Sequence, residues 1–208
     1  MNMKNKLGFR EYYKRRLPHI QIAGATYFIT FRLANSLPIE ALHELAEERQ
    51  RINKLPESQK ESAHRAWFAK YDDYLDKALH GNLYLKNEQI ADLVAESIHY
   101  RDGKVYDLIA FCIMLNHVHL VCTPLEKLAG TFYGLTEILH SLKRHTAHEA
   151  NKILQRNGAF WQDESYDHVI RDETELERIV KYVLYNPVKA KLVKEQTDWK
   201  WSYCKFEI

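Results

Sequence analysis

The stretch "KVYDLIAFCIMLNHVHLVCTP", residues 104–124, determines the predicted fold. Two apolar, strand-like runs, 104–114 and 117–124, are separated only by Leu115 and Asn116. Strands joined by so short a gap run antiparallel, because a parallel connection needs a dozen or more residues. The stretch therefore predicts a β-hairpin at the centre of a sheet.

The segments on both sides of this hairpin alternate between strand and helix patterns. The aromatic and β-branched run "ATYFITFRL" (25–33) predicts a strand, and the chain turns helical after Pro38. Helical apolar spacing then covers 39–53, about 57–80 and 87–103, and after the hairpin 134–154. A further strand, or a pair of short strands, is expected in 159–171. A last helix is expected at 173–185, with a capping-box pattern at Asp172 and Glu175 and with Pro187 ending it.

This order of elements predicts an α+β fold. Strand, helices, strand hairpin, helix and strand match a ferredoxin-like antiparallel sheet with one added C-terminal helix. The chain shows no repeat and no flexible linker, so we expect a single domain over residues 1–208. The helical patterns at about 39–80 are expected to be an insertion after the first strand.

Composition favours a globular cytoplasmic protein with no membrane partner. Apolar residues make up 46% and charged residues 28% of the 208 positions, and no apolar run is long enough to span a bilayer. The basic first residues lack the apolar core of a secretory signal. Three cysteines in no metal-binding spacing exclude a disulfide framework, and Cys112 and Cys122 are expected in the core.

Positive charge is concentrated at the N-terminus. Residues 1–36 carry seven Lys and Arg against one acid, although the net charge of the whole chain is only +2. The stretch "YYKRRLPHIQ" combines the cations Lys14, Arg15 and Arg16 with aromatic residues, a mixture that suits a phosphate backbone with unstacked bases. A solvated basic tail explains the same composition equally well.

The histidines of the central hairpin form a candidate metal site. Side chains at i and i+2 of a strand share a face, so His117 and His119 lie side by side while Val118 and Leu120 point the other way. Two neutral imidazoles so placed can bind one cation. The pattern by itself is weak in a chain with 11 histidines, and two buried imidazoles with ordinary hydrogen-bond partners remain the alternative.

The predicted helix 173–185 contains two candidate nucleophiles. Its apolar stripe, which includes Ile179, Val180 and Val183, identifies the buried face. Tyr182 borders that face, with Asn186 one turn later, whereas Tyr185 points nearly opposite. A phenol beside an amide that can bind a metal is a candidate nucleophile, so Tyr182 is favoured and Tyr185 stays as the competitor.

Three motifs together resemble a known family. "NHVHLV", "FWQDESYDHVIRD" and "YVLYNPVKAKLV", in this order and spacing, are similar to the single-tyrosine transposases of the HUH endonuclease superfamily, in particular to the REP-associated tyrosine transposases. "RRLPHIQIAGATYFITFRL" and "DWKWSY" resemble that family as well. The chain departs from the family pattern at Leu115, where proline is usual, and at Lys191, where glycine is common.

The resemblance implies a role for each matching residue. His117 and His119 correspond to the metal-binding histidines, Tyr182 to the catalytic tyrosine, and Asn186 to the amide that completes the metal site. The implied cofactor is a divalent metal, Mg²⁺ or Mn²⁺. The implied reaction is attack by Tyr182 on single-stranded DNA beside a hairpin, which leaves a 5′-phosphotyrosine and a free 3′-hydroxyl.

Several partners and activities remain open at this point. Related enzymes act as monomers or homodimers. Lys143, Arg144 and Lys152 on the helix 134–154 are candidate phosphate contacts, but the solvated face of a helix has the same composition. Two other functions compete with the transposase: a hairpin-binding module that does not cleave, and a metal-dependent hydrolase in which water attacks.

Overall fold

A computed structural model describes residues 10–14 and 18–206, with side chains from residue 22 onward. Its centre is a five-stranded antiparallel sheet in the order β8-β3-β5-β4-β9. These strands are β3 (Thr26–Arg32), β4 (Tyr106–Ile113), β5 (His117–Pro124), β8 (Tyr166–Ile170) and β9 (Ser202–Cys204). The first four have the order of a ferredoxin-like sheet, so the predicted fold class and the predicted central hairpin are confirmed.

Two small hairpins lie outside this sheet. One consists of β1 (Arg10–Lys14) and β2 (Pro18–Ile22), in the segment that we expected only to be a basic arm. The other consists of β6 (Glu126–Leu128) and β7 (Thr131–Phe132), directly after β5.

Within the described residues, five α-helices cover the two faces of the sheet. They are α1 (Ile39–Asn53), α2 (Glu57–Asp76), α3 (Glu88–Arg101), α4 (Leu135–Ile153) and α5 (Glu173–Lys189). Two short 3-10 helices follow α2 and α5, at Tyr84–Lys86 and Gln196–Asp198. None of the helices in the described part of the chain is both long and apolar enough to cross a bilayer.

The pleat of β3 and β5 divides the interior into two layers. Ile29, Phe31, Val118 and Leu120 pack with α3 and α4, together with the buried Cys122. Phe28, Val121 and Cys112 face the other way, toward Ile179, Val180 and Val183 of α5. His117 and His119 have the same parity on β5 as Val121, so they lie on the α5 side of the sheet. Both cysteines predicted in the core are buried.

Helices α1 and α2 form a hairpin with a small core of its own. Trp67 stacks on Tyr71, donates a hydrogen bond to the Leu45 carbonyl and packs near Leu75. Phe68 links this cluster to the sheet through Phe28 and Tyr166. The helical hairpin therefore packs over the α5 side of the sheet.

The predicted end of the last helix is wrong. Helix α5 runs through Pro187 to Lys189 and does not stop before the proline. A proline in a helix removes one backbone hydrogen bond and crowds the carbonyl four residues earlier, and Pro187 lies in the last turn of α5, where little helix follows it. The Ala190 and Leu192 amides still donate to Asn186 and Pro187, which closes the helix end. The extra turn places Lys189 on the same helix as Tyr182.

Candidate active site

The two histidines of β5 face each other inside the protein. Both side chains are fully buried, and their Nε2 atoms are 3.1 Å apart. Antiparallel pairing fixes their neighbours, because His119 stands opposite Thr30 of β3 and opposite Cys112 of β4. The prediction that they share one face is therefore met by the register of the sheet.

The outer nitrogen of each imidazole has its own hydrogen-bond partner. Nδ1 of His117 lies 2.7 Å from Oδ1 of Asn116, and Nδ1 of His119 lies 2.8 Å from Oγ1 of Thr30. The Asn116 oxygen can only accept, so Nδ1 of neutral His117 carries the proton and Nε2 keeps its lone pair. The Asn116 amide nitrogen donates to the Leu75 carbonyl, which fixes the orientation of the amide. Such outer partners orient metal-binding histidines in general.

Helix α5 places Tyr182 and Asn186 against this pair. The Tyr182 ring stands 5.7 Å from the His119 ring. Asn186 is 1% exposed. Its amide satisfies its hydrogen-bond partners in the orientation that puts its oxygen 3.0 Å from Nε2 of His119 and its nitrogen 3.0 Å from Asp76. Tyr185 is 56% exposed, in agreement with its predicted outward direction. The helix therefore docks over the histidines with Tyr182 turned toward them.

Sequence reasoning missed three charged residues of this site, Asp72, Asp76 and Lys189. Asp72 accepts a short hydrogen bond from the Tyr182 hydroxyl, and Nζ of Lys189 lies 3.0 Å from Asp72 and 2.7 Å from Asp76. The sequence held one signal that could have found Asp72 and Asp76. They lie one helical turn apart, directly after the apolar positions Tyr71 and Leu75 of a predicted helix. The predicted end of α5 at 185 also hid Lys189.

One oxygen of Asp72 has no hydrogen-bond partner among the described residues. This buried Oδ1 atom lies 3.3 Å from Nε2 of His119, in a geometry that forms no hydrogen bond. Ligand atoms of Asp72, His117 and His119 all lie within 4.8 Å of one another. Two ligands at right angles on a cation with bonds of about 2.1 Å are about 3 Å apart. This buried group therefore fits a divalent metal ion.

Burial and charge set the protonation of the site. Burial, together with the neighbouring His119, lowers the pKa of His117 well below its usual range, which keeps the ring neutral. Burial alone would raise the pKa of Asp72, but His119, His117 and Lys189 hold it below its usual range. Burial and the Asp72 charge raise the pKa of Asp76 to about 6. Two carboxylates with one ammonium leave the cluster anionic near neutral pH, which favours a cation.

The phenol of Tyr182 is held protonated in this arrangement. Burial raises its pKa well above the ordinary value, and the Asp72 charge raises it further. Lys189 keeps its charge, because the two carboxylates outweigh the effect of burial and raise the pKa of its ammonium group. A nucleophile in this state needs an acceptor for its proton, and Asp72 already accepts its hydrogen bond.

The predicted phosphate contacts on α4 lie away from the histidine pair. Lys14 ends β1, its side chain is outside the described part of the chain, and Arg15 and Arg16 lie outside the described residues altogether. Lys143 donates to Gln162, Asp163 and Ser165. Arg144 and Lys143 line a cavity of about 350 Å³, and Lys152 pairs with Glu149 on the surface. Since α4 packs on the opposite face of the sheet, these cations are not grouped with Tyr182.

Comparison with known proteins agrees with this geometry. The model of the IS200-like transposase family matches residues 62–186. A Haemophilus influenzae protein named as a REP-associated tyrosine transposase is 28% identical over 102 residues, which is 47% of this chain and 58% of the relative. The aligned part thus spans little more than half of that protein.

A solved structure shares the fold. It is a REP-associated tyrosine transposase bound to a REP hairpin, with a TM-score of 0.54 and 18% identity over 91% of this chain and 80% of that one. A ferredoxin-like sheet with two inward histidines on a central strand and a tyrosine on the last helix defines an HUH-type palm. The chain belongs to the IS200-like transposase family.

Proposed function

We propose that this protein is a metal-dependent tyrosine transposase that nicks single-stranded DNA and transfers the cut strand. One observation carries the proposal: Tyr182, the histidine pair and Asn186, which are distant in sequence, converge in a single buried site. Membership of a transposase family supports it. All these groups come from one chain, so one copy can assemble the site, and the predicted state stays monomer or homodimer.

Tyr182 is the nucleophile of the proposed reaction. Its oxygen attacks the scissile phosphorus, a Tyr182–phosphate bond forms, and the bond from phosphorus to the 3′-oxygen breaks. The phenolic proton passes along its hydrogen bond to Oδ2 of Asp72, and a water molecule supplies the proton that turns the departing 3′-oxygen into a hydroxyl. The phosphodiester energy is kept in the 5′-phosphotyrosine, so a second 3′-hydroxyl can reverse the step on another strand.

The other residues hold and orient the reacting groups. His117, His119 and Asp72, with the amide oxygen of Asn186, would hold Mg²⁺ or Mn²⁺. When bound, that ion supplies charge that polarises the phosphate and offsets negative charge in the transition state. Lys189 stands beside the phenol, where it stabilises the same charge. Asn116 and Thr30 fix the two imidazole rings.

The proposed substrate is single-stranded DNA that flanks a hairpin. The support comes from the solved relative, which is bound to a REP hairpin. The cations at Lys14, Arg15, Arg16, Lys143, Arg144 and Lys152 remain predicted DNA contacts. Those on α4 would bind DNA on the face away from Tyr182, so they suit a hairpin stem better than the cleaved strand.

The test is covalent capture of the intermediate. The protein is incubated with Mn²⁺ and labelled single-stranded DNA that carries hairpins from beside its own gene, and is then run on a denaturing protein gel. We expect a protein-linked DNA band that is lost in Tyr182→Phe and retained in Tyr185→Phe, because only Tyr182 faces the histidines.

Each rival function has its own outcome in this experiment. A band that persists in Tyr182→Phe and disappears in Tyr185→Phe contradicts the assigned nucleophile. Cleavage with no protein-linked product indicates a hydrolase in which water attacks. Binding without any cleavage, indifferent to Tyr182→Phe, indicates a hairpin-binding module.

A further inference from the structure

A cavity separates the α1–α2 hairpin from α5 and reaches the catalytic tyrosine. Its volume is about 500 Å³, and Tyr182 and Lys189 are among its lining residues. Sites for small ligands have volumes of about 300–1,000 Å³. We name this space the α2–α5 pocket.

Aromatic rings line one part of the α2–α5 pocket. Phe68 of α2 and Tyr166 of β8 are stacked with ring centroids 4.4 Å apart, and Phe28 stands 5.3 Å from Phe68. Phe68 and Tyr166 are partly buried, so part of their surface remains available. Nucleobases stack on such rings in single-strand binding proteins, whatever the sequence.

Positive charge surrounds these rings. Five cations line the pocket against three carboxylates: Arg49, Arg65, Arg171, Arg178 and Lys189 against Glu61, Asp167 and Glu175. Three of the arginines have carboxylate partners, since Arg65 and Arg171 pair with Glu61 and Arg178 pairs with Glu175.

Arg49 differs from these three arginines. Its buried Nη1 atom has no hydrogen-bond partner among the described residues, although the guanidinium stands 5.0 Å above the Trp67 ring. Burial lowers the pKa of this guanidinium, and the charges of Tyr166, Asp167 and Glu164 offset that effect only in part. Arg49 lines the pocket and has no carboxylate ion pair among the described residues, so a phosphate there would supply the missing counter-charge.

We propose that the α2–α5 pocket binds one nucleotide of the single strand next to the scissile phosphate. Its base lies against Phe68 and Tyr166, and its phosphate lies on Arg49. The helical hairpin thus acts as a clamp on the cleaved strand. This inference rests on the proposed function, because the distance to Tyr182 matters only if Tyr182 attacks that strand.

Binding without cleavage tests the pocket. The probe is a fluorescein-labelled dT12, titrated in EDTA so that no metal-dependent step contributes. We expect Arg49→Gln to weaken binding about tenfold. We also expect a shallower slope of log Kd against log salt concentration, by the amount that about one phosphate contact contributes. Arg51→Gln is the matched control. Arg51 lies two residues after Arg49 on α1, its side chain is exposed, and among the described residues it pairs only with Glu47.

A second probe reports on stacking. A dT12 with one internal 2-aminopurine should lose fluorescence when that base stacks on the wild-type protein. Phe68→Leu keeps an apolar side chain of similar size, so we expect the fold to persist and the fluorescence loss to shrink at least twofold. Thermal melting of each variant shows that the fold is retained.

Two results would overturn the inference. One is equal dT12 affinity for Arg49→Gln and Arg51→Gln, and the other is an unchanged 2-aminopurine signal in Phe68→Leu. If the covalent band is absent from wild-type protein while Arg49→Gln still weakens dT12 binding, the proposed cleavage fails, and the pocket keeps nucleotide binding but loses its role beside a scissile phosphate. If the band forms and the two arginine variants behave alike, only the pocket fails.

Discussion

The imidazole rings depend on single hydrogen bonds to their outer nitrogens. Thr30 is fully buried on β3, and its hydroxyl is the partner of Nδ1 of His119. Outer partners of this kind fix both the tautomer and the direction of a metal-binding histidine, and their loss costs about 10–100-fold in metal affinity.

Thr30→Val should therefore weaken metal binding without loss of the fold. Valine has the same shape but cannot bond to Nδ1, so His119 is free to turn. We expect the Mn²⁺ Kd, measured by calorimetry without DNA, to rise about tenfold. Thr26→Val is the control, because Thr26 pairs with Thr123 at the far end of the same strand. An equal effect of both substitutions would contradict the role of Thr30.

At the scale of elements, the α1–α2 hairpin is closed at its base by a tight backbone contact. Gly81 follows α2 with φ +76°, and a Cβ atom there would lie 2.2 Å from the Asn35 carbonyl oxygen, which precedes α1. Only glycine fits both the left-handed conformation and this approach. The two ends of the hairpin thus meet next to β3.

Gly81→Ala should destabilise the protein more than Gly103→Ala. Gly103 has a similar φ of +69° but nothing within 4 Å, so alanine there costs only the left-handed strain of about 1–2 kcal/mol. At Gly81 the clash with Asn35 adds to that strain, because backbone must move. Urea unfolding of both variants measures the difference, and equal losses of unfolding free energy would contradict the steric argument.

The N-terminus of α5 is held by a buried carboxylate. Asp172 caps the Glu175 amide as predicted, whereas the Glu175 side chain accepts from His168, the Arg171 amide and Arg178 and not from the Asp172 amide. Burial alone would raise the pKa of Glu175, but these donors lower it below its ordinary value of 4.5. The ionised form is thus favoured in the folded protein.

This pKa shift predicts a pH-dependent contribution to stability. A carboxyl with a depressed pKa stabilises the fold above its unfolded value, near 4.5, and this contribution is lost as the pH falls through the folded value. We expect Glu175→Gln to cost about 1–2 kcal/mol of unfolding free energy at pH 7 and much less at pH 3. Urea unfolding at both pH values tests this, with Glu177→Gln as a control that should show a much smaller change, because its ion pair with Lys181 is exposed. A loss that is equal at both pH values would contradict the prediction.

At the scale of the whole molecule, the helical hairpin completes the proposed catalytic site. It contributes Asp72, whose two oxygens face the phenol on one side and the histidines on the other. A segment expected to be an insertion of unknown role therefore supplies the negative charge of the site. The proposed metal site depends on tertiary packing between α2, β5 and α5.

Asp72→Asn should lower the affinity for Mn²⁺ at least about tenfold, because an amide replaces an anionic ligand. Asp73→Asn is the control, because it removes the same charge from the exposed side of α2. Asp73 pairs there with Lys77. Calorimetry without DNA separates this effect from catalysis. An unchanged Kd in Asp72→Asn would exclude Asp72 as a ligand.

The sequence by itself determined the fold class and the local placement of the site residues. Because side chains alternate between the two faces of a strand, residues 117–124 predicted that both histidines share one face. Helical spacing predicted that Tyr182 borders the buried face of its helix and that Tyr185 points away from it. Both follow from local periodicity, which the backbone imposes on any strand or helix. The family motifs then predicted Asn186 beside them.

Only the tertiary structure decided what meets the histidines. Asp72 and Asp76 are ordinary acids in a helical pattern, and their burial depends on how α2 packs against β5. Lys189 joined the site because α5 tolerates Pro187 in its last turn. Arg49 lines a pocket only because two helices pack across from α5. Contacts between residues far apart in the chain leave no periodic signal, because they depend on packing between elements and not on the conformation of any one element.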